Sequence, residues 1–238
     1  MDRTDYASAL RRDGARMAEA AVDLTARVAG CPEWDVAELL RHTGQVHRFW
    51  TRIADGSVTD PSDNVATASP ADAELAGWLA KGVERCAATL ERLDPELPRW
   101  TWSVQQNAGF IQRRMAQETA VHCWDALYAV GRDEPIERAL AADGIDEFLH
   151  LFISGAPTAD FPADGLHLHA TDGPGEWLLR AVDGGWQVGT EHAKGAVAVR
   201  GSASDLLLLL WQRRSADQLE VFGTAEDLAA VLAPFVRN

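Results

Sequence analysis

Along the first 150 positions apolar residues recur in steps of three and four, the spacing that lays one face of a helix on a core. The first such stretch spans residues 4–28, with Leu10, Met17, Ala21, Leu24 and Val28 on one face. Gly30-Cys31-Pro32 ends it, because proline cannot continue a helix. A second runs over 34–54 with the inward stripe Leu39, His42, Val46, Phe49 and Ile53, and stops at Asp55-Gly56. Residues 55–69 are polar and read as a loop. Ser69-Pro70 then offers a cap and a first-turn proline for a third helix reaching 93. Residues 94–106, with two prolines and with Trp100 and Trp102, predict a long connection folded over the bundle. A fourth helix covers 107–130, and Glu134-Pro135 opens another that reaches 153.

After residue 154 the period changes. Residues 155–165 (GAPTADFPADG) read as an interdomain linker. Short β-rich segments follow at 166–170, 177–182, 186–190 and 196–200, separated by Gly- and Asp-rich turns. Ser202 or Ser204 caps a helix through 206–211, then come a strand at 219–222 and a closing helix at 224–235. The expected fold class is α+β: a four-helix bundle over 1–154 and a small α+β domain over 155–238.

Polar residues interrupt two of the apolar stripes. In the fourth helix the inward positions are Ile111, Met115, Glu118, His122, Asp125 and Ala129. Glu118 and His122 sit one turn apart there, where a bare carboxylate costs several kcal/mol, by order of magnitude. A metal ion is one partner that removes this cost, and Glu-x-x-x-His is a two-ligand clamp. His42 interrupts the stripe of the second helix, and facing helices of a bundle bring such side chains to one centre. Two histidines and one carboxylate leave coordination positions open, as catalytic sites do. The plainer alternative is an ion pair of Glu118 with Arg114 and His122 beside a hydrogen-bonded core histidine. His47 lies about 140° around the helix from His42 and is read as a boundary residue. Asp125 is either an acceptor for a ligand histidine or a surface carboxylate. His150, His167, His169 and His192 show no ligand spacing; His167 and His169 share one strand face, expected to be polar exterior. The three cysteines read as structural.

Charge narrows the partners. The 238 residues hold 22 basic and 36 acidic side chains, a net of −14, with no basic block. Nucleic acid and anionic membrane are therefore poor partners, and a small molecule is expected instead. The first residues are charged and lack an apolar signal core, and the longest apolar run, 206–211, is too short to span a bilayer. Scattered Cys31, Cys86 and Cys123 fit a reduced, cytoplasmic compartment.

The segments CPEWDVAELLRHTGQVH, QETAVHCWDAL and GSASDLLLLLWQRR together resemble the mycothiol-dependent maleylpyruvate isomerase family, within the DinB/YfiT-like superfamily of actinobacterial thiol-dependent enzymes. The resemblance spans essentially the whole chain. It implies a DinB-like bundle followed by a domain akin to sterol carrier proteins. It further implies a divalent metal, usually zinc, bound by His42, Glu118 and His122, with mycothiol as co-substrate. The family's C-terminal arginine, credited with substrate binding or catalysis, falls best on Arg213, with Arg214 adjacent. The expected activity is isomerisation or S-transfer on a small electrophile, by a monomer or homodimer. A metal-dependent hydrolase, an iron oxygenase and a non-catalytic metal- or ligand-binding protein are the alternatives on the same triad.

Overall fold

The computed structural model describes residues 1–65, 67–153, 156, 158 and 160–235. They fall into two compact units, Met1–Glu134 and Pro135–Asn238. The first unit is built from α1 (Arg3–Glu19), α2 (Val36–Asp55), α3 (Leu75–Arg92) and α4 (Ala108–Ala129). Helices α1 and α2 each pack on both α3 and α4, which makes a bundle with α1 diagonal to α2. Leu10, Met17, Leu39, Ile53, Leu79, Ile111 and Met115 fill it and are almost completely buried. Each such side chain contributes roughly 1.5–3 kcal/mol by leaving water. Most of α4 is buried, including the polar residues Gln112, Arg114, Gln117, Thr119, His122 and Asp125. It is the most buried helix of the unit.

Helix ends follow local chemistry. Asp2 with Asp5, and Asp35 with Glu38, form reciprocal caps on α1 and α2. Gly56, at φ 81°, ends α2 in a left-handed conformation that favours glycine. Two boundaries differ from expectation. Helix α1 gives way to a short 3-10 turn at Ala20–Val22 rather than continuing to residue 28. There the Asp23 carboxylate accepts from the Thr25 amide and hydroxyl, which turns the chain away from the helix. Ser69 does not cap α3; its hydroxyl accepts from the Gln45 amide, and α3 begins only after a 3-10 turn at Asp72–Glu74. The connection after α3 does fold over the bundle: the Trp100 ring stacks on Trp50, with centroids 5.9 Å apart and planes 22° from parallel.

The second unit begins with α5 (Arg138–Leu151), followed by β1 (Leu166–Ala170), β2 (Glu176–Val182), β3 (Gly185–Gly189) and β4 (Val197–Gly201). Then come α6 (Ala203–Leu210), β5 (Glu220–Phe222) and α7 (Ala225–Leu232). The sheet has the order β3-β2-β1-β4-β5; β1 and β4 run parallel and the other neighbours antiparallel. One face presents Leu166, Leu168, Trp177, Leu179, Val197 and Val199, all buried. The architecture is α+β, as expected. The division between units, however, lies at residues 134 and 135, not at 154 and 155. Helix α5 belongs to the second unit because its Phe148 packs edge-on against Trp211 and Phe235, and its Asp146 accepts from the Trp177 indole at 2.8 Å. The expected linker, 155–165, lies partly outside the described residues. Among the described residues no helix is long and apolar enough to cross a membrane.

Candidate metal centre

Helices α2 and α4 bring His42, Glu118 and His122 together in the first unit. Glu118 Oε1 lies 3.4 Å from His42 Nε2 and 3.2 Å from His122 Nε2. One ligand atom from each residue falls within 4.8 Å of the other two. Ligands about 2.0–2.1 Å from a tetrahedral ion stand about 3.3 Å from one another, so the oxygen–nitrogen separations suit a single shared ion. The donor set, two imidazoles and a carboxylate, is one that zinc and neighbouring divalent metals accept.

Neighbouring groups orient each donor. Glu118 Oε2 accepts from the Arg114 guanidinium at 2.9 Å, which turns Oε1 towards the histidines. His122 Nδ1 lies 3.1 Å from Asp125 Oδ2. In the neutral ring that nitrogen carries the proton and donates it to Asp125, leaving the Nε2 lone pair for a metal. On the other side the Trp34 ring, carried by the loop after α1, stands 4.7 Å from His42 and 6.4 Å from His122. Side-chain exposure rises from 11% at His122 through 22% at Glu118 to 36% at His42. The centre therefore opens to solvent on the α2 side.

Electrostatics tighten the cluster. Burial works against charge on His122, but Glu118 and Asp125 outweigh it and raise its pKa to about 9. Burial likewise works to raise the pKa of Glu118, yet His122, His42 and Arg114 hold it well below the usual carboxylate range. An arriving cation has a proton to displace from His122.

The comparisons with known proteins fall on both units. The family model described as "Mycothiol maleylpyruvate isomerase N-terminal domain" matches residues 6–127, and the "MDMPI C-terminal domain" matches residues 139–230. The chain belongs to the mycothiol maleylpyruvate isomerase family. Two crystal structures share its fold: the mycothiol-dependent maleylpyruvate isomerase, with a TM-score of 0.63, and a histidine-to-alanine mutant of it, with 0.62. Both are 11% identical to this chain, with 93% of each chain covered. No curated protein sequence matches it.

In this member of the mycothiol maleylpyruvate isomerase family, Arg213 follows α6 and lies in the second unit. Gln212 before it takes φ 57°, the backbone of Arg213 and Arg214 turns back onto the Leu208 carbonyl, and Arg213 Nη1 donates to the Trp211 carbonyl at 2.7 Å. Arg214 instead donates to Asp205 Oδ1 at 2.9 Å. His47, one turn along α2 from the centre, is completely buried. Thr119 donates its hydroxyl proton to the Met115 carbonyl, so His47 Nε2 must donate to Thr119 at 2.7 Å. His47 Nδ1 is then a bare acceptor with no hydrogen-bond partner among the described residues. The Cys31 sulfur stands within 4.8 Å of ligand atoms of His122 and Asp125, a proximity not anticipated from its position in the chain. Only the Pro32 break hinted that this segment folds back. Burial raises the thiols of Cys86 and Cys123 to about 12, which keeps both protonated and unreactive.

Proposed function

We propose that this chain is a thiol-dependent enzyme in which His42, Glu118 and His122 hold a zinc ion and mycothiol serves as co-substrate for isomerisation or S-transfer on a small conjugated electrophile. The observation that carries this reading is the convergence of the three donors on one point, in a chain matched over both its units by the family. Zinc, when bound there, supplies Lewis acidity that favours the thiolate form of a thiol at neutral pH. The chain's own residues set the geometry. Asp125 fixes the His122 tautomer, Arg114 fixes the Glu118 carboxylate, and Trp34 shields the histidines from water on one side. In an isomerisation the thiolate adds to the conjugated double bond, rotation follows about the new single bond, and loss of the thiolate restores the alkene in the trans form. In a transfer the enolate left by the addition takes a proton from solvent and the thioether adduct is kept. Arg213, a fixed cation, is assigned to a substrate carboxylate or to the polar part of the thiol. The same proposal sets the reaction in a reduced, cytoplasmic compartment, supported by three cysteines of which none forms a disulfide.

The test is elemental analysis of the parent purified without added metal, beside His42→Ala and Glu118→Ala. The two variants are expected to hold about one equivalent of zinc less than the parent and to lose mycothiol-dependent cis–trans isomerisation of maleylpyruvate-like substrates. Equal zinc content in all three proteins would sink this reading. Iron in place of zinc would favour oxygen chemistry, and turnover without any thiol would favour a hydrolase.

A further inference from the structure

The second unit gathers three of the chain's seven histidines around one carboxylate. His167 and His169 project from the same face of β1, and Glu176 on β2 is the direct cross-strand partner of His169. Glu176 Oε1 lies 3.0 Å from His169 Nδ1, and Oε2 lies 3.3 Å from His167 Nε2. His192, from the segment after β3, directs its Nδ1 at the same carboxylate, 2.8 Å from Oε2 and 3.0 Å from Oε1. One ligand atom from each of the four residues falls within 4.8 Å of the others. His167 is not the polar exterior its alternation suggested: its side chain is only 7% exposed.

We propose that this cluster is a second metal site, taking a zinc ion on His167, His169, His192 and Glu176. A carboxylate satisfied by hydrogen bonds alone does not need three imidazoles from two separate segments, each with a nitrogen aimed at it. Neighbouring guanidiniums are engaged elsewhere: Arg200 pairs with Glu220, and Arg180 with Glu191. Four protein donors, three of them imidazole, make a filled tetrahedral set of the structural kind, unlike the three-donor centre of the first unit. The buried His167 forms the floor, while His192, 77% exposed, closes the top. An ion there ties β1, β2 and the segment after β3 into one unit, so its role is to brace that segment against the two inner strands.

The test uses the full-length protein, stripped with a chelator and titrated with zinc against a chromophoric competitor. The parent is expected to bind one equivalent more than His192→Ala and Glu176→Gln, and both variants keep the equivalent that His42→Ala loses. Cobalt(II) added to His42→Ala should give the intense visible bands of a tetrahedral ion, absent when His192→Ala is added to it. His192 is exposed, so its loss leaves the sheet core intact, and circular dichroism verifies that. Equal zinc stoichiometry in the parent, His192→Ala and Glu176→Gln overturns the proposal. A loss confined to His42→Ala likewise overturns this site and leaves the α2/α4 centre standing; a loss confined to the sheet variants does the reverse.

Discussion

At the scale of single residues, the candidate metal centre shows one side chain governing another through a proton. Asp125 touches no substrate in this reading, yet it decides which nitrogen of His122 is free. Removing such a partner commonly costs 10–100-fold in metal affinity. Asp125→Ala is therefore expected to weaken zinc binding by about that factor while leaving the stoichiometry unchanged, as a competition titration would show. His47 works in the opposite direction. Burial depresses its pKa to about 4 from an ordinary 6.5, so between those values the unfolded chain binds a proton that the folded chain refuses. Stability falls as pH drops from about 6.5 to 4, by on the order of 3 kcal/mol for a shift of this size. Denaturant unfolding across that window should show a shallower pH slope in His47→Gln; an unchanged slope would clear His47 of the effect. His47, read from its spacing as a boundary residue, is completely buried, and marks a limit of what spacing conveys. Steps of three and four put His42, Glu118 and His122 on inward faces, because helical geometry alone fixes those faces. Cys31 and Trp34 reach the same centre through a loop, and loop paths depend on contacts that no local period encodes.

At the scale of elements, close approach of helices is bought with small residues. A methyl group added at Gly44 of α2 would lie 2.0 Å from the Trp78 ring of α3. That ring also carries the Arg48 guanidinium over its face, 3.6 Å from the centroid. Gly44→Ala would push the two helices apart, and overpacking of this kind typically costs 1–3 kcal/mol. Chemical denaturation should register a loss of about that size, whereas a rise in stability would show that Trp78 swings away freely. Helix and strand positions were largely legible, since capping pairs such as Asp35 with Glu38 and alternations such as Leu166–Ala170 are written locally. The start of α3 was not, because Ser69 has a second possible partner in Gln45, a residue supplied by another helix. Nor was the membership of α5: a Gly- and Pro-rich stretch marks a break in pattern, whereas Phe148 finds its ring partners on elements far ahead in sequence.

At the scale of the whole molecule, the net charge of −14 acts on both units at once. Self-repulsion among like charges disfavours the compact state, and about 0.1 M salt screens it beyond roughly 10 Å. Exposed pairs such as Arg200 with Glu220 weaken in salt as well, but each is worth about 0–1 kcal/mol at most. The melting temperature is therefore expected to rise from low to moderate ionic strength, and a fall would mean that ion pairs outweigh repulsion. The family match follows the same division as the structure, with one domain on each unit. The burial of α4 has a last consequence, for change over generations. Glu118 and His122 ride on a helix whose other residues are mostly core, so under the proposed function a substitution there meets two constraints, packing and ligation. Trp34 borders the same histidines from a loop whose neighbours Pro32 and Glu33 are exposed. Under the proposed function, what this scaffold accepts is most easily altered at Pro32 and Glu33, whose exposed side chains lie outside the packed core.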